Sequence, residues 1–337
     1  GGAPPAEPPE PGSWRVPGDA GGAEAAGGAE ASGAFSFRFL RPNKSYRVTL
    51  LVDGCDVALA SKDVSTPGVG QGLPPQMARV IPEAMWRLYV GPEHELGEWL
   101  AQAHEDLVWT FKPAFSLLRE LWLNACFTLP SPGSPICQCP NPSSRYCLDL
   151  TKSGRWLHGK KVKRHKSDFV LTVNKDYIGS FTACGDLHRS RGEGTWITKE
   201  LVEALDRCRQ AGGELKVYSI ELWEKSSGRL AAVIMSLSVG DIFHDYTTAT
   251  LIRDSRSPGA VLAKVLGHLL VDCGYTLWYW GFKNPYMAEY DSNYGGVSMD
   301  NRTEFWPRWK AAKARQGGGC DLAARVPPGT ALDLATL

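Results

Sequence analysis

The chain has 337 residues, of which 43% are hydrophobic, and its formal net charge at pH 7 is +1. This length suggests roughly two domains with sizeable cores, and the charge excludes a globally basic nucleic-acid-binding protein while leaving room for a local basic patch. No apolar run approaches the roughly 20 residues that cross a bilayer, and no secretory signal is present, so we expect no membrane partner. We predict a cytoplasmic monomer; an organelle stays open because the sequence does not begin with Met.

The nine cysteines are odd in number and scattered along the chain. Cys137 and Cys139 form a C-x-C pair with Cys147 nearby, but no second pair and no His pair follows at the spacing of a zinc site. The pattern therefore predicts free thiols in a reducing compartment rather than a metal site or a disulfide framework.

The N-terminal part of the chain divides into two regions by composition. Residues 1–33 are rich in Gly, Ala, Pro and Glu and are expected to form a disordered low-complexity segment. Residues 34–167 are expected to form an N-terminal domain. Hydrophobic periodicity predicts, in chain order, strands at 35–40 and 46–52, a turn-rich loop at 61–75, helices at 82–90, 96–109 and 112–128, and a proline-rich connector at 129–142.

A dense basic cluster ends this predicted domain. It consists of five cationic side chains, namely Lys160, Lys161, Lys163, Arg164 and Lys166. A short charge run is most often a solvated surface, but in an otherwise neutral chain phosphate contact is equally plausible. Both interpretations stay open at this point.

Residues 168–316 show a mixed α and β pattern, and residues 317–337 resemble a tail. Thr198 suits a helix N-cap, Glu200 places negative charge in the first turn, and Gly212 suits the helix end. The predicted elements are strands at 169–173, 215–223, 230–239, 241–252 and 277–282, and helices within 174–187 and at 199–211, 259–273 and 304–314.

Three segments resemble one known family. The run G-E-G-T-W-I-T-K-E-L-V-E-A-L at 192–205, followed by S-I-E-L-W at 219–223, is similar to the signature of leucyl/phenylalanyl-tRNA–protein transferases. Residues 127–142 resemble the proline-rich segment of that family, and the basic cluster lies where the family has its own. The resemblance covers residues 117–309 in the right order.

The resemblance implies a fold and a reaction. The fold would be α+β, with a GNAT-like acyltransferase domain (a mixed, mainly antiparallel sheet flanked by helices) and a smaller N-terminal α/β domain. The reaction would move a hydrophobic, Leu- or Phe-like aminoacyl group from aminoacyl-tRNA to the α-amino group of an acceptor protein with an N-terminal basic residue. This is a step of the N-degron pathway. No coenzyme or metal would take part, since aminoacyl-tRNA is the co-substrate.

Site residues follow from the same resemblance. Trp196 would stack on the terminal adenosine or instead brace the helix, Glu221 would hold the incoming amine or instead cap backbone groups, and Tyr279 could donate a hydrogen bond to an oxyanion. Catalytic roles are assigned to Glu221, Tyr279 and Asn284, and aminoacyl or adenosine binding to Thr195, Trp196, Phe243, Asp245 and Tyr246. Phosphate contacts are assigned to Lys160, Lys161, Lys163, Arg164, Lys166, Arg189 and Arg191, although the last two could pair with Glu193.

The sequence departs from the family where the chemistry is expected. The family motif Asp-Cys-Gln-x-x-Asn is replaced by Tyr279-Trp280-Gly281-Phe282-Lys283-Asn284, and the family block Gly-Glu-Ser-Met-Phe-Ser is replaced by residues 244–249. Two alternatives therefore remain beside an active transferase. One is a catalytically silent relative that binds tRNA or protein. The other is an acyl-CoA-dependent GNAT enzyme, because residues 256–260 partly resemble a pyrophosphate-binding loop.

Overall fold

A computed structural model describes residues 45–51, 58–65, 86–88, 93–111, 113–130, 132, 136–152, 156–192, 194–284, 287, 290–315 and 321–337. The chain forms two compact units, residues 1–71 and 72–337. In the first unit, β1 (Ser45–Leu51) pairs antiparallel with β2 (Ala58–Ser65). The strand predicted at 46–52 is confirmed, whereas the loop predicted at 61–75 is wrong as far as Ser65. The segments predicted at 1–33 and 35–40 lie outside the described residues.

The second unit begins with a small sheet. Its elements are β3 (Trp86–Leu88), α1 (Leu96–Gln102), β4 (Leu107–Phe111), α2 (Phe115–Leu123), β5 (Leu129–Pro130) and β6 (Ile136–Pro140). The strand order is β3-β4-β6-β5, with β3 and β4 parallel. The helices predicted at 82–90 and 96–109 are wrong in part, because residues 86–88 and 107–111 are strands. Residues 107–111 are rich in side chains that suit a pleated surface. Their pairing with β6 buries Val108 and Trp109.

A larger sheet of eight strands follows. Its elements are β7 (Ser144–Asp149), α3 (Lys160–His165), β8 (Phe169–Val173), α4 (Tyr177–Ser190), α5 (Lys199–Ala211), β9 (Leu215–Glu224), β10 (Leu230–Val239), β11 (Ile242–Thr250), α6 (Pro258–Asp272), β12 (Leu277–Tyr279), α7 (Tyr290–Tyr294), β13 (Val297–Asp300), α8 (Trp306–Ala314), α9 (Leu322–Arg325) and β14 (Leu332–Asp333). The strand order is β13-β7-β12-β11-β10-β9-β8-β14, and a π-helical turn at Asn301–Phe305 leads into α8.

The order of elements confirms the GNAT-like expectation. Strand β8, helices α4 and α5, the antiparallel strands β9, β10 and β11, and helix α6 lead to β12, which pairs parallel with β11. The parallel pair is short, extending only from Ile242 to His244 on β11. Strands β11 and β12 therefore separate after His244 and Tyr279. The candidate site lies at this end of the pair.

Two cores lie on opposite faces of this sheet. Helices α4 and α5 cover one face, where Val217, Val233 and Tyr246 are buried, and α6 covers the other, where Ile220 and Phe243 are buried. Alternation along each strand sends neighbouring side chains to opposite faces. Consecutive residues on β11 therefore enter different cores.

The helix ends follow the predicted capping residues. The side-chain oxygen of Thr198 accepts a hydrogen bond from the backbone N–H of Leu201 at 3.3 Å. Gly212 follows α5 with a φ of +65°, which disfavours a residue with a Cβ. The helix predicted at 112–128 is shorter, from 115 to 123, because the chain turns at Ala125 with a φ of +58°.

The predicted domain boundaries also change. The division expected at residue 167 does not separate two sheets, since β7 precedes it and β8 follows it in the same eight-stranded sheet. The tail expected at 317–337 is packed over its described part: β14 pairs antiparallel with β8, and Leu322 and Leu334 are fully buried. Apolar residues in a short C-terminal segment were enough to dock it on the sheet edge.

The described cysteines are free thiols, including Cys137, Cys139 and Cys147, as the sequence predicted. A search of the described helices finds none that is both long enough and apolar enough to cross a membrane.

Candidate functional site

The loop between α4 and α5 carries Thr195 and Trp196. Trp196 is half-buried and makes an edge-to-face contact with Tyr246 of β11, with ring centroids 5.2 Å apart. The hydroxyl of Thr195 accepts a hydrogen bond from the backbone N–H of Ile197 at 3.1 Å, which fixes the turn into the capped helix. Trp196 and Tyr246, predicted from the same resemblance, therefore lie together, and Trp196 keeps part of its ring exposed.

A β-bulge on β11 sets the direction of Tyr246. Met235 of β10 lies opposite Thr247, and Ser236 lies opposite Asp245, so Tyr246 has no partner residue on β10. A bulge of this kind bends the strand and redirects the extra side chain. It comes two residues after His244, the last residue of β11 that pairs with β12, and so lies close to the point where these strands part.

Tyr246 anchors the segment that follows α2. Its hydroxyl donates to the carbonyl oxygen of Thr128 at 2.7 Å and accepts from the backbone N–H of Thr128 at 3.0 Å. The hydroxyl of Thr128 lies 2.6 Å away and also receives the indole N–H of Trp122 at 2.9 Å. Burial raises the pKa of Tyr246, so this hydroxyl keeps its proton.

Phe127 fills the space between β11 and the end of β12. Its ring meets His244 edge-on at 4.5 Å between centroids and lies 5.3 Å from Tyr246 and 6.2 Å from Tyr279. Gly281 makes room for this ring, since a Cβ there would lie 2.8 Å from Cε2 of Phe127. Gly281 is thus matched by an aromatic ring from another segment.

Tyr279, a predicted catalytic residue, is buried beside a buried arginine. Its hydroxyl accepts a hydrogen bond from Nη1 of Arg145, and its ring stacks on His244 with centroids 4.4 Å apart. Burial, partly offset by the Arg145 charge, raises the pKa of Tyr279 to about 12. The phenol is therefore neutral at ordinary pH, as a hydrogen-bond donor must be.

His244 was not among the predicted site residues. It is fully buried, and within the described part of the chain neither ring nitrogen has a hydrogen-bond partner. Burial, together with the positive charge of Arg145, holds its pKa well below the usual value, so the imidazole is neutral. No sequence signal pointed to His244 apart from its position at the start of the block 244–249.

Glu221 is the most fully bonded of the predicted catalytic residues. Oε1 accepts from the backbone N–H of Asp176 at 2.9 Å and the hydroxyl of Ser219 at 2.7 Å. Oε2 accepts from the hydroxyl of Thr172 and the backbone N–H of Lys175 at 3.1 Å. The side chain has no exposed surface. Of the two roles considered, this geometry favours capping of the β8–α4 loop over binding of an amine.

Two other predicted residues lie on the α6 face. Phe243 is fully buried and packs against Tyr218 and Tyr275, which places it in the core and away from Trp196. Asp245 also follows the alternation to that face; its Oδ1 has no hydrogen-bond partner among the described residues, and burial raises its pKa to about 7. The family resemblance had grouped Phe243 and Asp245 with Tyr246. It takes no account of which face of the sheet each side chain of β11 enters.

The remaining predicted residues lie on or near the surface. Asn284 is partly exposed, with its side-chain N–H₂ 3.4 Å from the carbonyl oxygen of Phe282. Arg189 and Arg191 are exposed at the end of α4, and Arg189 pairs with Asp186 at 2.7 Å. The alternative partner Glu193 lies outside the described residues.

The basic cluster forms α3 and the turn that follows it. Lys160, Lys161, Lys163 and Arg164 are exposed, and Lys166 is partly so. Helix α3 packs near the start of α6, where Nζ of Lys161 donates to the hydroxyl of Ser257 at 2.7 Å. The cluster is thus on the α6 side of the sheet, a different side from the loop that carries Trp196.

The segment resembling a pyrophosphate loop is engaged with the protein itself. Arg256 donates to Asp254 at 2.9 Å and pairs with Glu224 at 2.5 Å. Val261, where a small residue is expected in such loops, is fully buried in the core. These contacts give the acyl-CoA alternative little support.

The family model for leucyl/phenylalanyl-tRNA protein transferase matches residues 154–302. Curated relatives of that name include one from Desulforapulum autotrophicum, 27% identical over 44% of this chain and 64% of the relative. Another, from Idiomarina loihiensis, is 32% identical over 40% of this chain and 55% of the relative. The chain thus spans somewhat over half the length of these relatives.

Solved structures resemble the chain more loosely. A structure of FemX matches with a TM-score of 0.37 and 8% identity, covering 80% of this chain and 90% of that one. L-PGS from Bacillus licheniformis matches with a TM-score of 0.32 and 13% identity, covering 60% and 64%.

Proposed function

We propose that the chain moves an aminoacyl group from aminoacyl-tRNA to the α-amino group of an acceptor protein, a proposal supported by its similarity to leucyl/phenylalanyl-tRNA protein transferases. The observation that carries this proposal is the capped loop 194–198, which keeps the family's G-T-W-I-T run and leaves Trp196 partly exposed beside Tyr246. The amino acid proposed is hydrophobic and the acceptor residue basic, as in the family.

The reaction requires mainly that the protein position its two substrates. The ester of aminoacyl-tRNA is already activated, so the enzyme has to hold an amine against the carbonyl carbon and stabilise the oxyanion that forms. Trp196 would stack on the terminal adenosine, a contact worth about 1–3 kcal/mol per base. Tyr279, with its hydroxyl held by Arg145 and its proton retained, is suited to donate a hydrogen bond rather than to act as a base.

The product would be a protein with one additional N-terminal residue. In the N-degron pathway such a residue marks the protein for degradation. We propose this role for the chain, with aminoacyl-tRNA as co-substrate and without a coenzyme or metal.

A second candidate function is that of a non-catalytic relative that binds tRNA or protein. Two observations favour it: Glu221 has its oxygens engaged by four donors, and the ring of Phe127 occupies the space between β11 and β12. The Trp196 loop is intact in either case. A non-catalytic relative would therefore still bind tRNA but would not transfer the aminoacyl group.

The deciding experiment is a transfer assay. Purified protein is incubated with labelled leucyl-tRNA or phenylalanyl-tRNA and a peptide with an N-terminal Arg, and label in the peptide is counted. We expect incorporation, with Trp196→Ala raising the KM for tRNA by about 10- to 100-fold through loss of stacking. Trp223→Ala is the matched control, since Trp223 is also half-buried but stacks under Lys175. No incorporation from any charged tRNA, with tRNA still bound, would favour the second candidate.

We predict that the exposed face of α3 contacts the tRNA backbone. Replacing Lys160, Lys161, Lys163 and Arg164 by Gln should weaken tRNA binding at low salt. It should also make the slope of log K against log salt shallower by about three, because each lost phosphate contact removes roughly 0.7–0.9 from the slope. Binding measured from roughly 50 to 300 mM salt checks this. Lys199→Gln on α5 is the control, and an unchanged slope in the quadruple variant would leave α3 as solvated surface.

A further inference from the structure

The ring of His244 packs against Phe127 and Tyr279, but its two nitrogens have no structural use that the described residues show. It is fully buried, and both ring nitrogens lack hydrogen-bond partners among the described residues. A buried polar group without a partner costs about 1–3 kcal/mol, and buried groups of this kind are usually satisfied in native proteins. A residue that carries this cost is best explained by a ligand or a reaction that supplies the partner.

A chain of ring contacts joins His244 to the exposed loop. Trp196 touches Tyr246 at 5.2 Å between centroids, Tyr246 touches Phe127 at 5.3 Å, and Phe127 meets His244 at 4.5 Å. An adenosine stacked on the exposed part of Trp196 would lie at the outer end of this row of rings. At its inner end the imidazole of His244 meets the ring of Phe127 edge to face.

We propose that His244 receives the attacking α-amine and accepts its proton, and that the ring of Phe127 covers His244 until the substrates enter. The inference rests on the proposed transferase function. The amine nitrogen forms a bond to the ester carbonyl carbon while one of its protons passes to a ring nitrogen of His244. The bond from the carbonyl carbon to the ribose oxygen then breaks, and the proton passes from His244 to that oxygen. The products are the amide and the free ribose hydroxyl of the tRNA.

The titratable groups that surround His244 are not available to accept the proton of the amine, which leaves the imidazole as the acceptor. Tyr279 of β12 and Tyr246 of β11 are protonated phenols that already engage Arg145 and Thr128. Arg145 of β7 is a cation and accepts nothing. Its charge, together with burial, keeps the imidazole neutral, so a ring nitrogen has a free lone pair. The same two causes disfavour the imidazolium, so a proton taken from the amine would pass on quickly to the ribose oxygen.

Phe127 is suited to act as a movable cover. It is 8% exposed, so it is buried but not entirely closed off from solvent. Its recorded partners are the rings of His244, Tyr246 and Tyr279 and the flat surface of Gly281, and none of these contacts is a hydrogen bond. The next residue, Thr128, is held by Tyr246, so the ring can turn while the backbone stays fixed.

The first test compares His244→Gln with His268→Gln in the transfer assay. His268 lies half-buried on α6 and pairs with Asp272 at 3.4 Å, which makes it a matched control. We expect kcat to fall about 100-fold or more in His244→Gln, the usual contribution of a general base. The KM for tRNA should stay within about twofold of wild type, since Trp196 is intact. A kcat close to that of the wild type would overturn the proposal.

A second test does not require turnover. The ring nitrogens of His244 are observed by NMR in the ¹⁵N-histidine-labelled protein while a peptide with a free N-terminal Arg is added. We expect their resonances to shift with this peptide but not with its N-acetylated form, and to shift at lower peptide concentration in Phe127→Leu. Shifts in a protein that transfers nothing would contradict the proposed function while supporting amine binding at His244. Resonances that both peptides leave unchanged would overturn the inference even in an active enzyme.

Discussion

Replacing Glu221 by Ala is expected to lower the free energy of unfolding by about 3–5 kcal/mol. The carboxylate accepts hydrogen bonds from the side chains of Thr172 and Ser219 and from the backbone N–H groups of Lys175 and Asp176. All four donors would lose an acceptor whose side chain is fully buried. Urea denaturation at pH 7, with the loss read from the shift in midpoint, measures the effect.

Two companion variants make the Glu221 result interpretable. Glu221→Gln keeps the shape but turns one acceptor into a donor, so an intermediate loss of about 1–3 kcal/mol is expected. Glu203→Ala on the exposed side of α5, where Glu203 pairs with Lys199 at 3.6 Å, should change stability by about 0.5 kcal/mol or less. A loss from Glu221→Ala no larger than that of Glu203→Ala would contradict a structural role and reopen the catalytic one.

Replacing Arg145 by Ala is expected to be comparably destabilising, by about 3–5 kcal/mol. The guanidinium is fully buried and donates to Asn301 at 3.0 Å, Asn141 at 2.9 Å, the carbonyl oxygen of Ala125 at 3.0 Å and the hydroxyl of Tyr279. Removing it leaves a cavity and takes a donor from each of these oxygens. Denaturation midpoints again provide the measurement.

The variant Arg145→Met separates the two causes. Met fills much of the space and removes the buried charge, and Asn301 still donates to Asn141 at 3.0 Å, so about half the loss is expected. Arg191→Ala, at an exposed position, should be close to neutral. Equal losses for Ala and Met would mean that the cavity contributes little and that the hydrogen bonds dominate.

The elements with clear local signals were predictable from the sequence. Thr198 and Gly212 bound α5 as expected, and the hairpin of β9 and β10 turns at Gly228 with a φ of +67°. The helix predicted at 96–109 was wrong after residue 102, because its second half pairs with β6, a contact between residues far apart in the sequence. Periodicity in a short apolar run does not distinguish helix from strand when such pairing decides.

The site could be predicted only in outline. Trp196 and Tyr246, both assigned to aminoacyl or adenosine binding, lie in contact, with ring centroids 5.2 Å apart. His244 was missed and Phe243 misplaced, since the alternation of faces on β11 and the bulge at Tyr246 depend on register with β10. The ring of Phe127 against Gly281 joins two segments that no local pattern connects.

The pairing of β14 with β8 has a consequence for synthesis of the protein. Strand β8 pairs with β9 on one side and with β14 on the other, and β14 is the last strand of the sheet to leave the ribosome. Until then the outer edge of β8 offers unpaired N–H and C=O groups, the kind of edge that recruits strands from other chains. Stalled or shortened chains that lack β14 should therefore aggregate more readily than chains that include it, even when the rest of the sheet has formed.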